Sequence, residues 1–173
     1  INNRIIYIEA IPIDLAGNLD SLNISITGRD TVNISGLIEA VDATIFHEFI
    51  SEDIGSTLVE DEGVVMSYSL NIPIKDEGKF QNSQVDAIMI GEISLSKIGN
   101  QFWNIGGEVY IENGSILSFK DNFTGLNGYV TFDNNGINPN MDLTAFTNIS
   151  DEEIRLRVIG DLDDADLILE SAS

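Results

Sequence analysis

Val64, Met66, Tyr68, Leu70, Ile72 and Ile74 occupy every second position of one segment, and Val65, Ser67, Ser69, Asn71 and Pro73 between them are mostly small or polar. Side chains two residues apart point to the same face of a strand, so this segment predicts a strand that is oily on one side and wet on the other. The pattern recurs. Leu22, Ile24 and Ile26 alternate with Asn23, Ser25 and Thr27 ahead of the turn Gly28-Arg29-Asp30. Strands are also expected over Ile5–Leu15 (interrupted by Pro12), from Val32 toward Gly36, and over Leu37–Ala43. Val85–Leu95 reads as one or two strands around Gly91. Glu108–Glu112, Ile116–Phe119, Tyr129–Asp133, Met141–Thr147, Ile154–Ile159 and Asp166–Leu169 follow, with Gly, Asn or Asp between them. Glu60-Asp61-Glu62-Gly63 and Lys75-Asp76-Glu77-Gly78 read as the turns that bracket the long strand. Short strands with turn signals at this spacing predict an all-β, meandering antiparallel sheet.

One segment departs from this period. Ile45, Phe46, Phe49, Ile50 and Ile54 fall on one face at helical spacing after Thr44, a candidate N-cap, which predicts a short amphipathic helix over 44–54. Such a helix either plugs the core or forms a lid, through Ile45, Phe46, Phe49 and Ile50, over an apolar groove.

At 173 residues the chain has the length of a single domain spanning 1–173, with no linker or low-complexity tract, and 43% apolar residues argue against disorder. Eight Lys and Arg against 29 Asp and Glu give a formal net charge of −21. That balance excludes nucleic acid as a partner class, since phosphate binding needs basic surface. It also suggests no dedicated phosphate clamp, and it keeps a chain this rich in Ile, Leu, Val and Phe soluble. Cysteine is absent, so no disulfide or thiolate chemistry enters. No apolar run approaches the roughly 20 residues of a membrane span. Ile1 in place of Met and the lack of a signal peptide predict a fragment or processed form of a longer chain.

Candidate chemistry is sparse. His47 is the one histidine, and no Gly-x-Ser-x-Gly elbow accompanies it. Carboxylate pairs for glycoside hydrolysis arise by chance among so many acids, and Trp103 is a thin aromatic platform. Asp161, Asp163, Asp164 and Asp166, and the run Asp133-Asn134-Asn135-Gly136, have the composition of calcium loops without their ligand spacing. They read as acidic turns. The Asn-x-Ser/Thr acceptors at Asn23, Asn33, Asn113, Asn122 and Asn148 are expected by chance in a chain this rich in Asn and Ser. Gly106-Gly107 and Gly125 with Gly128 lie between strands with no helix after them, so they read as bends and not as a phosphate loop. The chain is not expected to be an enzyme, and no cofactor or metal is expected.

The stretch from Gly106 to Ser171 carries a resemblance. A strand leads into Asn113-Gly114-Ser115-Ile116. Pro139 precedes the apolar-Asp-apolar strand Met141-Asp142-Leu143 ending in Ala145-Phe146-Thr147. The alternating Ile154-Arg155-Leu156-Arg157-Val158 enters Gly160, and an apolar strand ends at Ser171. This order is similar to the C-terminal domain of the TamB family, the AsmA-like envelope proteins of diderm bacteria (the inner-membrane subunit of a translocation and assembly module). The resemblance covers about the last 65 residues well, and the first hundred are only compatible with it. Family members usually continue after the final Ser with a Pro and a further apolar, helix-prone segment, and a chain that stops at Ser173 is expected of a fragment.

The resemblance implies a β-taco, an elongated, curved, antiparallel-rich sheet folded into an open trough with an apolar concave face. It implies a periplasmic location with the full-length protein anchored in the inner membrane, and an Omp85-type (TamA-like) outer-membrane partner. Two functions follow from it. One is a conduit whose groove holds phospholipid acyl chains for transport between membranes and outer-membrane biogenesis. The other is a chaperone or scaffold for outer-membrane or autotransporter β-barrels, acting by β-augmentation. On the alternation, the groove is expected to be lined by Val64, Met66, Tyr68, Leu70, Ile72, Ile74, Ile93, Leu95, Val109, Ile111, Leu117, Phe119, Val130, Phe132, Met141, Leu143, Ile154, Leu156, Val158, Leu167 and Leu169. The same alternation would build a closed β-sandwich or barrel that carries nothing, and a plain cell-surface structural domain is a third outcome.

Overall fold

A computed structural model describes residues 14–46 and 65–171. Over these the chain is nearly all β. The strands are β1 (Asp14–Thr27), β2 (Thr31–Phe46), β3 (Val65–Gln81), β4 (Val85–Ile98), β5 (Asn104–Ser118), β6 (Asp121–Asp133), β7 (Asn140–Ile149), β8 (Glu152–Asp161) and β9 (Asp166–Ser171), with one short 3-10 turn at Leu162–Asp164. They form one open nine-stranded sheet in chain order. Neighbouring strands are antiparallel except β2 and β3, which run parallel. The antiparallel-rich sheet expected from the sequence is observed, with this one parallel pair in it, where Thr31 at the start of β2 faces Val65 at the start of β3. No helix of the described residues is long and apolar enough to cross a membrane.

Local chemistry sets the reversals. Gly28 takes a φ of 114° at the β1–β2 turn, where the sequence expected one. Phe119-Lys120 and Ser150-Asp151 close two-residue hairpins with positive φ at both central residues, the backbone twist that suits tight antiparallel connections.

The strands are long because several expected breaks are bends. Lys75-Asp76-Glu77-Gly78 was expected to end a strand, yet β3 runs through it, with a register shift between Ile74 and Gly78. Glu108–Glu112 and Ile116–Phe119 were expected as separate strands, and both fall within the single β5 up to Ser118. Their pairing slips by one residue at Glu112, since Ile88 faces Asn113 and Met89 faces Ile111. β6 slips between Thr124 and Asn127, and β2 between Ala40 and Thr44. Gly91 and Gly128, with φ of 146° and 136°, lie beside these slips. A bulge or a positive-φ glycine bends its strand. The pairings Ile74↔Gly91 and Ile111↔Gly128 put the irregularities of β3, β4, β5 and β6 on one line across the sheet. That line is a crease, and the sheet is a trough with its strand ends as the two rims. Eight steps between strands at about 4.8 Å make it about 38 Å long.

The helix expected over 44–54 is corrected in its first turn. Thr44, Ile45 and Phe46 are the last residues of β2, where Ile45 faces Leu15 on one side and Phe80 on the other. Pairing on both sides outweighs a weak local helical period. Residues 47–54 lie outside the described residues, as do most of the strand expected over Ile5–Leu15 and the turn expected over Glu60–Gly63.

Candidate functional site: the apolar trough

Cross-strand register assembles the apolar face in rows. Leu70, Leu95 and Ile105 form one, and Ile72, Ile93, Gly107 and Phe132 the next. Ile74, Gly91, Val109, Val130, Met141 and Gly160 form a third. Beyond the crease come Met89, Ile111, Gly128, Leu143, Val158 and Leu167. Ala145, Leu156 and Leu169 close the series. Cross-strand neighbours on one face are in direct contact, so the rows form a continuous apolar surface.

The middle of this surface is packed on itself. Leu156 is 0% exposed, and Leu95 and Ile72 are 1%. An inner-face side chain on a flat single sheet would be open to water, so the flanks on either side of the crease cover each other. Leu70, Ile72, Ile74, Ile93, Leu95, Val109, Ile111, Met141, Leu143, Leu156 and Val158 all belong to one buried cluster, and Val130, Phe132 and Ile154 pack against it. Met66 and Tyr68 are half-buried at the rim. Leu167 and Leu169, on the last strand, are 49% and 48% exposed.

Two expected lining residues lie elsewhere. Leu117 is 48% exposed on the opposite face, because the extra residue at Glu112 reverses the alternation, and Ile116 takes the inward place opposite Val85 and Phe123. Phe119 sits in the hairpin turn with a φ of 51° and is exposed. Of the candidate lid, Ile45 is buried in the core and Phe46 is an exposed strand end. Phe49, Ile50 and Val64 lie outside the described residues.

Sequence reasoning also missed core members. Ile38, Ala87, Met89, Ile105, Phe123, Leu126 and Ala145 are buried in the same cluster. Alternation in Val85-Asp86-Ala87-Ile88-Met89 carried a signal for Ala87 and Met89. Phe123 and Leu126 are three apart, and only the bulge between Thr124 and Asn127 puts both inside.

Charge divides between the faces. Glu92, Glu108, Asp142 and Asp161 project from the outer face, in rows with Thr131, Asn140 and Tyr129. Outside the bulges, the inward positions of β3 to β9 carry carboxylates at Asp121 and Glu152, both at hairpin tips on one rim. The opposite rim has an inward cation. Lys97 lies two residues beyond buried Leu95, opposite Tyr68. Its ammonium is 5.5 Å from the centre of the Trp103 ring, which is 5.2 Å from the Tyr68 ring.

The outer face offers little chemistry. Tyr110 and Tyr129 pair across β5–β6 with centroids 4.9 Å apart, over a shallow hollow with Asn127, Thr144, Phe146, Arg155 and Arg157. Arg155 is paired with Glu170 and Arg157 with Asp142. No group of three His, Cys, Asp or Glu among the described residues is placed to hold a metal ion. The acidic run at 161–166 falls on the end of β8, the 3-10 turn and the start of β9. His47 lies outside the described residues.

Compared with known proteins, the chain matches no family model and no curated protein sequence.

Proposed function

We propose that the trough receives acyl chains and serves as a conduit for phospholipid between membranes, within an envelope protein that works with an Omp85-type partner in the periplasm. The observation that carries this reading is the continuous apolar face of an open sheet, whose inward positions in β3 to β9, outside the bulges, carry carboxylates only at the tips of one rim, in a chain of net charge −21.

Each methylene taken from water contributes about 0.8 kcal/mol. The sheet's own side chains already fill the middle, so a lipid tail enters by parting the flanks and exchanging one apolar contact for another. The net affinity is then small and nearly uniform along the trough, as sliding requires. Entry falls where the face is already open, at Met66 and Tyr68 on the rim and at Leu167 and Leu169 on β9.

A second reading, a chaperone for outer-membrane β-barrels, draws support from β9. It is six residues long, exposed throughout, and pairs only with β8 among the described residues. Such an edge can accept an incoming strand.

Photo-crosslinkers at Met66 and at Leu167 test the two readings. The conduit predicts lipid adducts from both positions in the full-length protein in cells. Adducts only to unfolded barrel proteins, and from Leu167 alone, would contradict the conduit and favour the chaperone.

A further inference from the structure

Lys97 is an anomaly of position. Of the cations on the described strands, Lys79, Arg155 and Arg157 occupy outward positions, and Lys75 lies in the β3 bulge bonded to Glu39. Lys97 takes the inward place, in line with Leu95 and Ile93. Among the described residues no carboxylate lies within 4.0 Å of it. It is half-buried, held between strand β4 and the Trp103 ring. A cation over an indole face is stabilised there while its head reaches water. The surrounding rim is apolar, with Phe102 exposed and Ile34 and Tyr68 half-buried. A cation with no acid beside it, at the wet edge of an acid-poor apolar face, is complementary to an amphiphile with an anionic head.

We propose that Lys97, with Trp103 and Tyr68, forms a headgroup site on this rim that selects amphiphiles with a phosphate or carboxylate head over neutral ones. The proposal rests on the trough reading and adds a preference to it. The tail lies against Leu70, Leu95 and Ile105, and the anionic head meets the ammonium at the seam. The opposite rim, with Asp121 and Glu152 inward, disfavours the same head. One orientation of the ligand follows.

Trp103 is the single tryptophan of the chain, so its fluorescence reports the site directly. The whole chain is titrated with a dibrominated fatty acid and with the matching dibrominated monoacylglycerol, both below their micelle concentrations. The fatty acid is expected to quench Trp103 at about tenfold lower concentration, the effect of one charge-assisted contact. Lys97→Gln is expected to bring the two together without changing the far-ultraviolet circular dichroism, and Lys97→Arg to restore the difference. Equal quenching by both ligands in the native chain overturns the headgroup site and leaves the trough reading standing. Inorganic phosphate reproducing the emission change would assign Lys97 to a free anion instead. A change seen only with intact anionic vesicles would make the rim, through Phe102, a membrane contact. No quenching by either ligand overturns the site, and crosslinking from Leu167 then decides separately whether the trough holds lipid.

Discussion

Ile74 faces Gly91 across β3 and β4 at the last regular pairing before β3 gains extra residues and resumes with Gly78 opposite Met89. This is where the trough is creased. Gly91 holds a φ of 146°, and a Cβ there would collide with the Glu108 carbonyl oxygen of β5. Gly91→Ala is therefore expected to destabilise the fold by about 2–4 kcal/mol, through an unfavourable backbone conformation and the clash together. Chemical denaturation measures it. A change below about 0.5 kcal/mol, the range of ordinary surface substitutions, would mean that the crease is not built on this glycine.

The face assignments of two leucines can be compared directly. Leu156 has no exposed surface and sits in the core between Ala145 and Leu169, whereas Leu117 is half-exposed on the outer face. Leu156→Ala is expected to cost about 2–5 kcal/mol, the range for emptying a packed site. Leu117→Ala is expected to cost less than about 1 kcal/mol. Equal losses would place Leu117 back inside and remove the bulge at Glu112.

Electrostatics work against this fold at low salt. With 29 acids against 8 bases, the folded state concentrates like charge. The melting temperature is expected to rise as sodium chloride increases from about 0.02 M to about 0.5 M, because the screening length falls from tens of ångströms to a few. The ion pair of Arg157 with Asp142 is exposed on both partners. Arg157→Gln is accordingly expected to change stability by less than about 1 kcal/mol.

The β9 edge carries a further expectation. Leu167, Ile168 and Leu169 are all exposed on a strand paired on one side among the described residues. Exposed apolar edges recruit other strands. Analytical ultracentrifugation is expected to show concentration-dependent association that Leu169→Lys reduces. Association unchanged by that substitution would place the contact elsewhere.

The class of fold was legible because alternation is local. Leu70-Asn71-Ile72 states its own faces, and Gly28 announces its turn. What was hidden depends on partners. The extra residue at Glu112 is defined only by Met89 and Ile88 on β4, so Leu117 was assigned to the wrong side. Lys75–Gly78 has the composition of a turn, and only its pairing partners show that the chain passes through it as a bend. Thr44 and Ile45 fit a helical period, but long-range pairing with Ala16 and Lys79, and with Leu15 and Phe80, fixes them in β2. Lys97 has no signature in the sequence, since one lysine among few carries no pattern. Its meaning came from parity with Leu95 and from the Trp103 ring.

Whether the trough opens to hold lipid tails is read out by native mass spectrometry of the protein purified without detergent from a diderm host. Masses corresponding to bound phospholipid are expected, depleted when Leu70→Lys puts a charge in the trough of a protein that still folds. A protein that emerges free of lipid, and takes up none when it is offered, would contradict it and leave the crease as the seam of an ordinary sandwich.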